Sequence, residues 1–231
     1  MQSTHPDAPS SFDFIHDPTL LMKIFHSAWF TPVNPPNPPA PFGKGGDRGG
    51  CPLGKGGTSS QQLRDCINAE IYNRIRACIH LIDDKFRASP DVARYFLDIL
   101  RDSEAGRLLR WMHELEILDK YIPEFGAIKN LVRHEMYHQY TVDEHTLVAI
   151  ENLDKSTLST MSNGMARRHR SYGQFMEMLR AIQKPELLRL AILLHDIGVN
   201  TKGPGGHEDK SLRAAKAVLE RSGILDEADA E

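Results

Sequence analysis

Apolar residues recur at three- and four-residue steps along most of the chain, and no alternating apolar/polar run is sustained. A period near 3.6 marks helices and a period of two marks strands, so the pattern predicts an all-α protein. Leu63, Ile67, Ile71, Ile75, Cys78, Ile79 and Ile82 form one face of a long helix. Ser89-Pro90-Asp91 reads as an N-cap, a first-turn proline and a first-turn acid. They open a second helix through Phe96, Leu97 and Leu100. Ser103 opens a third, with Leu108, Leu109, Trp111, Met112, Leu115 and Leu118 inside, and Tyr121 to Gly126 form a break. Thr141-Val142-Asp143-Glu144 fits a capping box, in which Thr141 caps a helix and Glu144 reaches back. His145 then falls in the first turn, with Leu147, Ile150 and Leu153 as the apolar face. Upstream, His134 and His138 would share a face if their segment is helical. Ser156 to Ser171 is polar and reads as a loop. Pro185 begins a run from Leu187 to Leu194 that has no polar side except at Arg189, which predicts a largely buried helix. After a turn, Gly203-Pro204-Gly205-Gly206, His207-Glu208-Asp209 start a final helix with Leu212, Ala215, Val218 and Leu219 on its face.

Two segments depart from this pattern. Asp17-Pro18-Thr19 starts a short docking helix through Leu20, Leu21, Ile24, Phe25 and Trp29. Residues 31–58 are rich in proline and then glycine. Pro41-Phe42-Gly43-Lys44-Gly45-Gly46 recurs as Pro52-Leu53-Gly54-Lys55-Gly56-Gly57. Such a segment cannot bury a core and reads as a disordered insertion. Its Gly-Lys pairs lack the spacing of a phosphate-binding loop, and no apolar strand precedes them. The expected organisation is a short helical segment over 1–30, the insertion over 31–58, a helical subdomain over 59–126 and a second helical domain over 127–231.

Composition narrows the classes. The 231 residues are 40% hydrophobic and 26% charged with a net charge of −3. That balance gives no global attraction to nucleic acid or to an anionic membrane. No apolar run is long enough to span a bilayer, and the N-terminus has no basic-then-apolar signal pattern. Cys51, Cys66 and Cys78 show no CxxC spacing and do not pair off evenly. A reducing compartment, the cytoplasm, is the expected location.

The candidate chemistry lies where the Leu187–Leu194 run ends in His195-Asp196, with Gly198 following. A carboxylate at a buried helix end is costly unless it is paired or bound to a cation. His145, His195, Asp196 and His207 each fall at a predicted helix end or start, and converging ends can gather such groups around one divalent ion. The same residues are equally consistent with unrelated positions in a chain of 11 histidines, because no local motif fixes His145 against His195.

The words around these residues carry a resemblance. His145…His195-Asp196-Ile197-Gly198 resembles the HD superfamily of metal-dependent phosphohydrolases. Tyr137-His138-Gln139-Tyr140-Thr141-Val142-Asp143-Glu144-His145-Thr146-Leu147 is similar to the corresponding stretch of the bacterial PII uridylyltransferase/uridylyl-removing family. His80-Leu81-Ile82-Asp83-Asp84-Lys85-Phe86, Ile122-Pro123-Glu124-Phe125-Gly126, Lys184-Pro185-Glu186-Leu187-Leu188 and Gly205-Gly206-His207 fit the same family, so the resemblance covers roughly residues 60–220. It implies a helical HD-type domain behind a helical subdomain. It assigns His145, His195 and Asp196 as ligands of a divalent metal (Mn, Mg, Fe or Zn). His207 becomes the catalytic histidine, joining a second metal or contacting the substrate phosphate. The implied reaction is hydrolysis of the phosphodiester that joins UMP to a tyrosine of the small trimeric PII protein, the implied partner.

Departures from the family qualify that expectation. The Gly-Ser and paired-Asp signature of its nucleotidyltransferase domain is missing, as are its two glutamine-sensing domains. The chain stops before the helices that supply the last HD-domain aspartate, and residue 199 is Val where many HD proteins have Lys or Gly. The expectation is a C-terminally truncated HD domain with weakened metal affinity, completed by a second polypeptide if active. Two alternatives are an HD hydrolase of a small nucleotide and an inactive remnant that only binds a partner.

Overall fold

Every regular element among the described residues is helical, as the apolar spacing predicts. The computed structural model describes residues 14–26, 72–132, 140–158, 174–175, 177–179 and 181–225. The expectations for the insertion over 31–58, for His134 and His138, and for most of the Ser156–Ser171 stretch lie outside the described residues.

The first helices form a layered core. α1 (Leu20–His26) buries Leu21, Met22, Ile24 and Phe25. Residues 72–78 (α2) end in a 3-10 turn over Ile79–Leu81, so the predicted long helix stops before Ile82. Asp83 caps α3 (Asp84–Arg87) by accepting the Phe86 N–H at 2.9 Å. α4 (Pro90–Arg101) begins as the sequence predicts, with Ser89 at the N-cap and Pro90 in the first turn. It packs on α1 and buries Val92, Phe96, Leu97, Ile99 and Leu100.

The predicted third helix is two. α5 (Ala105–Glu114) starts after Glu104 rather than at Ser103. Glu116, in the left-handed region at φ 63°, breaks the helix, and Leu118 falls in α6 (Ile117–Tyr121). The predicted break at Tyr121–Gly126 contains a short helix of its own, α7 (Pro123–Gly126), with Tyr121, Ile122 and Phe125 buried.

α8 (Val142–Leu158) runs further than the sequence predicts, taking in Ser156 and Thr157. Their hydroxyls donate back to the carbonyls of Asn152 and Asp154, which lets polar residues continue a helix. Glu144 accepts from Arg110 on α5 at 2.7 Å, and the Thr141 hydroxyl serves the Asp143 carboxylate. The buried stripe of α8 is Thr146, Leu147, Ile150 and Asp154, so an aspartate takes the core position expected for Leu153.

α9 (Pro185–Leu194) packs on α4 and α8 and leads into the turn at 195–200. Its orientation corrects the sequence reading. Arg189, the supposed polar side, is 4% exposed, whereas Ala191 faces out. α10 (His207–Ser222) follows the glycine turn and ends at Gly223, whose φ of 64° closes the helix C-terminus. Its Val218 is buried, but Leu212 is 56% exposed, against the expectation that it lies on the packed face. One cluster of buried residues joins α1, α4, α5, α8, α9 and α10, and spans both sides of residue 126. Among the described residues no helix is long and apolar enough to cross a membrane.

Candidate functional site

The turn after α9 is fixed by backbone contact. A Cβ on Gly198 would lie 2.2 Å from the Ser211 nitrogen and 2.3 Å from the Lys210 carbonyl carbon, so only glycine lets the turn sit against α10. The Gly198 N–H also donates to the Ser211 hydroxyl at 3.2 Å, in the interior. The glycine after the His-Asp pair therefore sets the distance between the end of α9 and the first turn of α10.

That approach leaves a cavity of about 610 Å³ between the two helices. Its walls are mainly apolar, from Leu187, Ala191, Leu212 and Ala215, and one end carries His195, Asp196, His207 and Glu208. The structure thus brings three of the four sequence-predicted site residues to one cavity. The fourth, His145 in the first turn of α8, holds its ring with centroid 6.1 Å from that of His195 and planes at 54°. Glu208 was not among the predicted residues. Its place beside His207 in the first turn of a helix is the signal that could have singled it out.

His195 is oriented by its own helix. Its Nδ1 lies 2.7 Å from the Ile192 carbonyl, which can only accept, so Nδ1 carries the hydrogen. In the neutral ring this leaves the lone pair on Nε2, the arrangement found in metal-binding histidines. Nε2 is 3.2 Å from Asp196 Oδ2. A lone pair facing a carboxylate repels unless a proton or a cation lies between them. The expected burial of this pair is only partial, with His195 at 42% and Asp196 at 20% side-chain exposure. Two imidazoles and a carboxylate suit a divalent ion in kind. Among the described residues, however, no group of three or more His, Cys, Asp and Glu side chains converges on a point that could hold one. The predicted ligands are neighbours, with His195 Nε2 against Asp196 Oδ2 and the His145 ring beside that of His195.

Behind these residues lie two polar networks the sequence reading missed. In the first, Asp154 on α8 accepts from the Arg189 side chain at 2.9 and 2.8 Å and from the Gly106 N–H at 2.7 Å. Arg189 also donates to the Leu100 carbonyl at 2.8 Å. Burial pushes the Asp154 carboxyl upward, with the Gly106 N–H and Arg189 working against that shift. The cue in the sequence was a lone arginine inside a leucine run. In the second network, His113 on α5 stands between Asp119, at 2.5 Å, and Asp143, at 3.2 Å, and Lys129 meets Asp119 at 2.7 Å. Burial alone would raise Asp119, but hydrogen bonds from His113 and Lys129 hold it below its ordinary range. Asp143 is lowered too, with burial outweighed by hydrogen bonds from Thr141 and from backbone N–H groups. This network anchors the N-terminus of α8, where His145 sits.

Comparison with known proteins adds a second line of observation. The family model described as the third domain of uridylyltransferase GlnD matches residues 58–121, a span that stops short of the four site residues. The chain is 36% identical over 159 residues to a bifunctional uridylyltransferase/uridylyl-removing enzyme of Methylococcus capsulatus, covering 68% of this chain and 17% of that protein. It is 40% identical over 154 residues to the protein of that name from Nitrosococcus oceani, covering 66% and 16%. With the Caulobacter vibrioides protein of that name the figures are 33% over 159 residues, 68% and 16%. The chain spans about one sixth of the length of these curated relatives. No solved structure gives a significant match.

Proposed function

This chain is a relative of the bifunctional uridylyltransferase/uridylyl-removing enzymes over about two thirds of its length, and from that premise we propose that it carries part of their uridylyl-removing centre. The reaction would be metal-dependent hydrolysis of the phosphodiester between UMP and a tyrosine of the PII protein. The observation that carries the reading is the His195 ring, fixed by the Ile192 carbonyl, with Nε2 against Asp196 and His145 alongside. His145, His195 and Asp196 would hold the divalent ion (Mn, Mg, Fe or Zn). Such an ion supplies a water nucleophile at neutral pH and polarises a phosphoryl oxygen.

The chain's own groups define the rest. His207 heads α10, a helix of 16 residues, where backbone N–H groups and the helix dipole favour the phosphate. His207 would contact a phosphate oxygen and stabilise the charge that grows there during hydrolysis. The apolar walls of the cavity would seat the uncharged part of the substrate and exclude water from it.

The test starts with metal content. Purified protein should take up Mn, Mg, Fe or Zn near one equivalent, and His195→Ala should abolish uptake. Release of UMP from uridylylated PII protein, rather than from a free nucleotide, should follow the same variant. No uptake at excess metal by the unaltered protein would overturn the reading.

A further inference from the structure

Two helices, α8 and α9, carry the paired rings of His145 and His195, and the packing of α9 is degenerate. Leu187, Leu188, Leu190, Leu193 and Leu194 wrap most of the way around α9, and apolar contact is non-directional. A rotation of α9 by one residue, about 100°, would still bury leucines while carrying His195 away from His145. Something directional must select the observed setting.

We propose that the Asp154–Arg189 pair is the positioning device that sets α9 against α8 and so places His195 beside His145. The proposal deepens the site reading above and rests on it for the function of those histidines. α8 and α9 run antiparallel in the relevant sense: Asp154, late in α8, meets Arg189, early in α9, while His145, early in α8, meets His195 at the end of α9. Along the helices the two meeting points are about 13 Å apart on α8 and about 9 Å apart on α9. The ion pair is thus the far anchor of a two-point contact whose near point is the histidine pair.

The bonds at that anchor are directional and tie four helices. Arg189 Nε and Nη2 both meet Asp154 Oδ1, Nη1 reaches the Leu100 carbonyl of α4, and Asp154 Oδ2 takes the Gly106 N–H of α5. Both side chains are nearly fully buried. Glu186, one turn earlier on α9, adds a contact to Arg101 of α4 at 3.6 Å. Buried ion pairs contribute little stability relative to apolar replacements of similar volume, and their best-attested use is to fix register. Positioning and stability are therefore separable in experiment.

The variant Asp154→Asn with Arg189→Met separates them. Asn keeps an oxygen for the Gly106 N–H, Met fills the arginine stem, and no buried charge is left alone. Three readouts apply to the full chain: melting temperature, Mn²⁺ affinity, and the nuclear Overhauser contact between the His145 and His195 rings in histidine-labelled protein. The double variant is expected to melt within a few degrees of the parent, lose the ring–ring contact, and bind Mn²⁺ about 10- to 100-fold more weakly, the range seen when outer groups that orient ligands are lost. A folded double variant that keeps the ring–ring contact overturns the proposal. If it does not fold, Arg189→Lys, which keeps the charge and loses the fork, is read in the same way. If the parent binds no Mn²⁺ but the contact is still lost in the variant, the site reading fails and the positioning role stands.

Discussion

The two sides of α9 are built by opposite rules. Toward α4 and α8 it buries its charged residues, Glu186 and Arg189, which meet Arg101, the Leu100 carbonyl and Asp154. Toward α10 it presents leucine and alanine to an open cavity, with a partly exposed His-Asp pair at the end. The polar side is the packed one because polar partners on two helices, α4 and α8, meet it. The apolar side leaves a cavity although α10 is held at Gly198 and Ser211, by the buried Val218 and, through Arg221 and Glu124, at its far end. One side specifies geometry and the other offers room, which is the division of labour expected of a site built on a rigid frame.

Breaking the packed side should have the largest effect. Asp154→Ala leaves the Arg189 guanidinium buried without its counter-charge, and should cost about 3–5 kcal/mol in urea unfolding. A loss under about 1 kcal/mol would mean that water reaches Arg189 and that the contrast between the two sides is false. Next comes the hinge between them. Gly198→Ala forces a methyl into the α10 backbone and should cost about 1–3 kcal/mol, while also changing the cavity. Weaker binding of any ligand found for the cavity should accompany the loss of stability.

Acid should weaken the frame through two of its carboxylates. Asp119 and Asp143 have folded-state values below the ordinary aspartate value of 3.8. The native state therefore holds fewer protons on them than the unfolded state does. Their contribution is full above that ordinary value and is lost as pH falls through the lowered folded values. Chemical denaturation between pH 6 and the acid limit should show stability falling below about pH 4, and Asp119→Asn should flatten that fall. The smallest effect belongs to the open side. Leu212→Gln removes an exposed leucine from the cavity wall and should change stability by less than about 0.5 kcal/mol. A larger loss would show that the cavity wall is packed in solution.

The sequence by itself determined the helical class, because apolar spacing is a local property of the chain. It also determined local punctuation: Ser89-Pro90 starts α4 and Gly223 closes α10, each through backbone preferences that need no distant partner. His195, Asp196 and His207, which share one cavity, were legible as candidates for the same reason, since each stands at a helix end that the pattern marks. The meeting of His145 with His195 was not legible, because the residues are far apart in sequence and only tertiary packing closes that gap. Nor was the orientation of α9 legible. A run of leucines looks the same from every side, and hydrophobicity alone would have turned Arg189 outward. The tertiary structure turned it inward because Asp154, the Gly106 N–H and the Leu100 carbonyl together satisfy a buried guanidinium and its counter-charge. Those partners come from three other helices, so no window of sequence contains them.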